Sequence, residues 1–139
     1  MESVVVPYKK LKSLCVHKLE DSGVPREDAE TVADVLVHAD LRGVDSHGVM
    51  RLAHYIKRIR CGSINPGPDI QITDTGPATA LVDGDDGLGH VIAFKAMEHA
   101  TRLAQNVGVG MVGVINSSHC GALSYYVQQA AAERTIGLA

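Results

Sequence analysis

The sequence contains no tryptophan, one phenylalanine and four tyrosines among its 139 residues, and no run of lysine and arginine. It therefore lacks both the stacking surface and the basic stripe on which nucleic-acid binding depends. Its apolar runs are all too short for a membrane-crossing helix, which takes about 20 residues. The opening "MESVVVPYKK" lacks the charged-then-apolar order of a secretory leader. Cysteine is scarce, odd in number and widely spaced, at Cys15, Cys61 and Cys120. That spacing argues against a disulfide framework and leads to the expectation of reduced thiols in a cytoplasmic protein. No Cys-x-x-Cys occurs, and the adjacent His119 and Cys120 point apart, so no metal site is expected. What is present is an ordinary globular composition, 45% hydrophobic and 21% charged with a formal charge of −3. The chain is long enough for a sizeable core.

Periodicity divides the chain in two. Residues 7–21 carry Leu11, Leu14, Cys15 and Leu19 at helical spacing, with Pro7 before them and Ser22-Gly23 after. A second helix is predicted from Pro25 to about Arg42, with Val32, Val35, Leu36 and Ala39 as its apolar stripe and Gly43 as its stop. A third, capped by Asp45 or Ser46, is predicted to run to about Cys61. "SINPGPD" cannot be helical. From there the pattern changes: strands at "IQITDT" and "TALVDG", a helix over "LGHVIAFKAMEHATRLAQNVG", a buried strand at "VGMVGVIN", a helix over "GALSYYVQQAAAER" and a strand beginning at "TIGLA". We thus expect a helical unit at residues 1–65 and the start of an α/β domain at residues 66–139, with some parallel pairing. A chain stopping inside a strand leaves ladder groups uncovered, so a longer protein is expected.

Neither glycine-rich stretch reads as a phosphate-binding loop. "GVGMVG" at residues 108–113 has a helix before it and a strand after, the reverse of the dinucleotide fingerprint. "DGDDGLGH" does precede a helix, but Asp83, Asp85 and Asp86 would repel a phosphate, and a tight turn with an acidic helix start is expected.

Chemistry concentrates in two places. On the third predicted helix His47, Arg51 and Tyr55 stand at i, i+4 and i+8, with Arg58 three later, while Val49, Leu52, Ile56 and Ile59 face the core. An arginine holds a carboxylate in two parallel hydrogen bonds, and an imidazole exchanges a proton near neutral pH. Ser46 and the free amides of the helix start add donors. The bland alternative is a solvated face beside a cap. The second place is "NSSHCGALSYY", a polar turn after a strand, where α/β sheets bind ligands; His119 would stand there, or else merely in a capping turn. Tyr125 and Tyr126 are expected to pack. His17, His38, His54, His90 and His99 are expected in packing or surface positions.

Taken together, "DLRGVDSHGVMRL", "GSINPGP", "VDGDDGLGH" and "NSSHCGALSYY" resemble the type-2 malate/L-lactate dehydrogenase family over nearly the whole chain, from about residue 8. Within it, "MEHA", "GVGMVGV" and "HCGALSYYVQQAA" look most like the ureidoglycolate dehydrogenase branch. The resemblance implies a non-Rossmann α/β dinucleotide-binding domain joined to a helical domain. It implies a homodimer of longer chains and hydride transfer between NAD, or NADP, and a small 2-hydroxy acid. Ureidoglycolate is the first expectation for that acid, with L-malate, L-lactate or sulfolactate as alternatives. A non-catalytic fragment or binding module is the rival outside enzymes. The match places the acid/base at His47 or His119, with His119 favoured as base and His47 on the substrate, and puts Ser46, Arg51 and Tyr55 in the substrate pocket. It assigns no cofactor-binding residue here. Cys120 and Thr135 depart from the family pattern, the first beside the pocket and the second in a turn.

Overall fold

The computed structural model describes residues 5–139, an α/β arrangement of helices against a three-stranded sheet. Helices α1 (Tyr8–Glu20) and α2 (Arg26–Asp40) each begin directly after a proline, whose fixed φ suits a helix start. Gly23 and Gly43 end the two helical stretches with φ of +89° and +70°. The predicted stripe of α2 is the centre of the core: Val32, Val35, Leu36 and Ala39 are all fully buried. Around it pack Cys15 and Leu19 of α1, then Leu52, Tyr55 and Ile59, and finally Ile64, Leu88 and Val91.

The third helix differs from its prediction. Residues 45–47 and 49–51 form two single turns of 3-10 helix, and α3 proper runs only from Leu52 to Arg60. The break is at Gly48, whose backbone is extended (φ −88°, ψ −159°). Neither Asp45 nor Ser46 is the cap. The carboxylate of Asp40, at the end of α2, accepts the Val49 N–H at 3.0 Å. It lies so close that a β-carbon on Gly48 would sit 1.6 Å from its Oδ1, so a larger residue there would have to push the capping carboxylate aside. His47, Arg51 and Tyr55 therefore do not share a helical face, and Tyr55, expected on the outward side, is 1% exposed.

Strands β1 (Gln71–Gly76) and β2 (Thr79–Gly87) form an antiparallel hairpin. Helix α4 (Gly89–Val107) then crosses over to β3 (Met111–Ser117), which pairs parallel with β2. Val82, Ile92 and Ala96 bury the helix against the sheet, with Ile70 and Val112 at the margin. The aspartates of "DGDDGLGH" are not at a helix start, because β2 extends through them with an irregular register between Asp83 and Gly87. Asp85 and Asp86 adopt positive φ. Asp85 Oδ2 accepts from Asn65 Nδ2 and the Asp69 N–H, and Asp83 Oδ1 from Asn116 Nδ2, so these acids clamp the proline loop and β3 to the end of β2. Asn116 holds the Asp83 carboxyl below its usual range.

Two further expectations are corrected. β3, read as buried, is largely exposed, because it pairs only with β2 and α4 shields only part of it. "TIGLA" is not a strand: after α5 (Ser124–Ala132) residues 136–139 are irregular, with no ladder partner among the described residues. Gly108–Gly113 behaves as expected. Gly108 closes α4 in the left-handed region, and a β-carbon on Gly110 would meet the Ala100 carbonyl at 2.0 Å. Gly108 has nothing within 4 Å of such a carbon, so Gly108→Ala costs conformational energy alone. A loss of about 1–2 kcal/mol is expected by denaturant unfolding, with no change in the site.

Candidate active site

Three pieces of chain converge on one surface: the 3-10 turns, the middle of α3, and the turn between β3 and α5. Asp40 pins the first by capping it. Within the 3-10 turns, Ser46 Oγ lies 3.0 Å from His47 Nδ1, and Arg51 Nε donates to the Ser46 carbonyl at 2.6 Å. The second piece contributes Tyr55, whose hydroxyl lies 2.7 Å from His119 Nδ1. The third contributes His119, whose ring centre is 5.5 Å from that of His47. The five predicted residues Ser46, His47, Arg51, Tyr55 and His119 thus form one cluster. Arg58 does not join it and instead binds Ser63 Oγ at 3.2 Å.

The His119 turn is held from below by α4. Gly89 N–H donates to Ser118 Oγ at 3.0 Å, and Ser118 Oγ donates to the Gly87 carbonyl at 2.9 Å. From the other side the Tyr126 hydroxyl donates to the Cys120 carbonyl. Gly121, at φ +76°, donates its N–H to His119 Nδ1 at 3.3 Å.

Sequence reasoning passed over His90. Its ring is fully buried, and neither nitrogen has a hydrogen-bond partner. It meets the Tyr55 ring at right angles, centroids 4.8 Å apart, and the His119 ring at 6.4 Å. The one available sign was its place after "GLG", where a histidine that begins a helix is turned inward. His38 also has a partner unseen in the sequence: its Nε2 lies 3.1 Å from Ser124 Oγ, tying α2 to α5. Likewise His99 Nε2 lies 2.7 Å from Asp74, tying α4 to β1.

The electrostatics are one-sided. Desolvation, then the nearby His47, Arg51 and His54, push the His119 pKa below that of a free imidazole. Burial lowers His90 to about 3, with His119 adding to it. Burial also raises the Tyr55 phenol to about 12 against the pull of Arg51, and raises the Cys120 thiol. No acidic side chain pairs with Arg51 among the described residues. The cluster can therefore hold an anion and exchange a proton with it, while Arg51 and His119 remain open to solvent. Among the described residues no three metal-ligating side chains converge. A separate cavity of about 930 Å³ between α4, β3 and residues 135–139 contains none of these groups.

The malate/L-lactate dehydrogenase family matches residues 6–139. The L-sulfolactate dehydrogenase of Methanocaldococcus jannaschii is 49% identical over 127 residues, 91% of this chain and 37% of that protein. The NAD(+) ureidoglycolate dehydrogenase of Escherichia coli is 45% identical over 96% of this chain and 38% of its own length. Among solved structures, malate dehydrogenase from Pyrococcus horikoshii superposes with a TM-score of 0.91 at 47% identity, covering 94% of this chain and 37% of that one. The chain thus spans little more than a third of the length of these relatives. A match along almost every residue, at these identities, makes the chain a member of the malate/L-lactate dehydrogenase family.

Proposed function

We propose that this cluster is the substrate-binding and proton-transfer part of an NAD-dependent dehydrogenase of small 2-hydroxy acids. The observation that carries the reading is the approach of His47 to His119, 5.5 Å between ring centres, from positions 72 residues apart in the sequence, with Arg51 alongside. Arg51 uses Nε to hold the Ser46 carbonyl, which leaves its terminal nitrogens for a substrate carboxylate. The 2-hydroxyl then lies between the imidazoles, one of which takes its proton while the other hydrogen-bonds the same oxygen. Tyr55 orients His119 from behind, and Ser46 does the same for His47.

A bound nicotinamide supplies the acceptor for the carbon-bound hydrogen. The described residues offer no site for its phosphates: Gly108–Gly113 leads from helix to strand, and at the start of α4 the Gly89 amide is already taken by Ser118. NAD is preferred because a close relative is named for it. A homodimer and a cytoplasmic location belong to the same proposal.

Ureidoglycolate, L-malate, L-sulfolactate and L-lactate all present the carboxylate that Arg51 would grip, and each is to be assayed with the full-length protein and both NAD and NADP. On the acid preferred, Arg51→Ala is expected to raise KM by about 10–150-fold, the worth of a charge-assisted hydrogen bond of about 1.5–3 kcal/mol. No turnover of any acid in the panel, or an unchanged KM in the variant, would overturn the reading.

A further inference from the structure

We propose that His90 is a positioning residue, a flat and uncharged wedge beneath the cluster that fixes Tyr55 and the His119 turn against each other. This rests on the reading of the cluster as a 2-hydroxy-acid site. His90 stands in the first turn of α4, where its neighbours Leu88, Val91 and Ile92 are buried as well, so its ring is carried into the core with them. It is 0% exposed, and neither ring nitrogen has a hydrogen-bond partner among the described residues. A neutral imidazole carries one N–H and one lone pair. Holding both unpaired out of water is destabilising, and a leucine would fill a similar volume without that loss. Such a group in a native fold calls for a physical reason.

The reason is in what the ring touches. Its plane meets that of Tyr55 at 84° with centroids 4.8 Å apart, an edge-to-face contact that a branched aliphatic chain cannot make. Its Nε2–Cδ2 edge lies against the backbone of Gly121: a β-carbon there would stand 2.9 Å from Nε2 and 3.0 Å from Cδ2. Tyr55 and Gly121 are the two groups hydrogen-bonded to His119 Nδ1, the hydroxyl at 2.7 Å and the amide at 3.3 Å. The His119 ring itself is 6.4 Å from that of His90, with the planes at 76°. One buried ring therefore backs His119 and both partners that orient it. The preceding residue, Gly89, holds the same turn through its amide and Ser118 Oγ, so the start of α4 supports the turn twice.

Arg51 is supported separately. Its Nε donates to the Ser46 carbonyl within the 3-10 turns, which Asp40 of α2 pins, and neither hydrogen bond involves α4. A fault at position 90 thus displaces the His119 imidazole and leaves the carboxylate grip in place. Reacting groups must be held to within about 0.5 Å of their working geometry.

His90→Leu and His90→Gln in the full-length protein separate positioning from packing. Leucine keeps the volume and removes the unpaired nitrogens, but it is not flat. It is expected to melt at or above the temperature of the parent, yet to lose about 10–10²-fold in kcat on the preferred acid with KM within about 3-fold. Glutamine is flat, uncharged and of similar size, and is expected to keep kcat within about 3-fold of the parent. Nitrogen NMR of the histidine-labelled proteins without substrate reads the positioning directly. The His119 ring signals, assigned by their loss in His119→Gln, should shift in His90→Leu and stay near those of the parent in His90→Gln. A leucine variant with parental kcat and parental His119 signals, or one that melts well below the parent, makes the ring a packing element and overturns the proposal. So does a glutamine variant as slow as the leucine one, or a leucine variant whose KM rises as far as its kcat falls. If the parent turns over no acid of the panel, the hydroxy-acid reading itself fails, and the NMR comparison still decides whether His90 sets His119.

Discussion

Alanine at His47 is expected to lower turnover of the preferred 2-hydroxy acid by about 10²–10⁴-fold, the usual worth of a positioned acid/base group. Alanine at His119 is expected to cost at least about 10²-fold as well, because the proposed mechanism sets both imidazoles on the substrate hydroxyl. In the proposed mechanism the two act on one oxygen, so the double variant should be only slightly slower than the worse single one. Stability separates them too. His119 receives the Tyr55 hydroxyl and the Gly121 amide, and its removal strands the phenol of a buried tyrosine, at about 1–3 kcal/mol. His47 has Ser46, in its own turn, as its one side-chain hydrogen-bond partner among the described residues, so His47→Ala should unfold at nearly the temperature of the parent. Steady-state kinetics with thermal unfolding of both variants checks this. Full turnover in both would leave the cluster without a catalytic part.

Gly89→Ala is expected to damage fold and site together. A β-carbon there would stand 2.1 Å from the Ser118 carbonyl oxygen and 2.7 Å from the His119 carbonyl carbon. These are backbone atoms, so no side chain can swing aside. Either α4 or the His119 turn must move, and the Gly89-to-Ser118 hydrogen bond stretches with it. Overpacking of this kind costs about 1–3 kcal/mol. A displacement of about 1 Å in a catalytic group can cost a further 10²-fold in rate. Gly108→Ala, at the other end of the same helix, is the control: it carries strain but no clash. If Gly89→Ala matches the parent in both melting temperature and kcat, α4 does not support the turn as drawn.

The helices were legible where periodicity was long. Val32, Val35, Leu36 and Ala39 repeat at helical spacing in the sequence, and all are buried. The predicted third helix shows the limit. Its spacing was right for a wheel, but Gly48 breaks it, and the cap comes from Asp40, which no local pattern assigns to that role. Likewise the acids of "DGDDGLGH" looked like a helix start and are acceptors for Asn65, Asp69 and Asn116. β3 looked buried because it is apolar, yet burial depends on what packs against it.

Sequence alone determined which side chains could do the chemistry, because an arginine, imidazoles and a serine beside a glycine break have that capacity whatever their surroundings. It also determined the family, through four motifs in order. Only the tertiary structure decided that His47 and His119 stand ring to ring, that Tyr55 reaches the site from inside the core, and that His90 lies sealed beneath them. The reason is that these contacts join segments tens of residues apart. Their geometry is set by how α2, α3 and α4 pack and by where single glycines let two backbones approach.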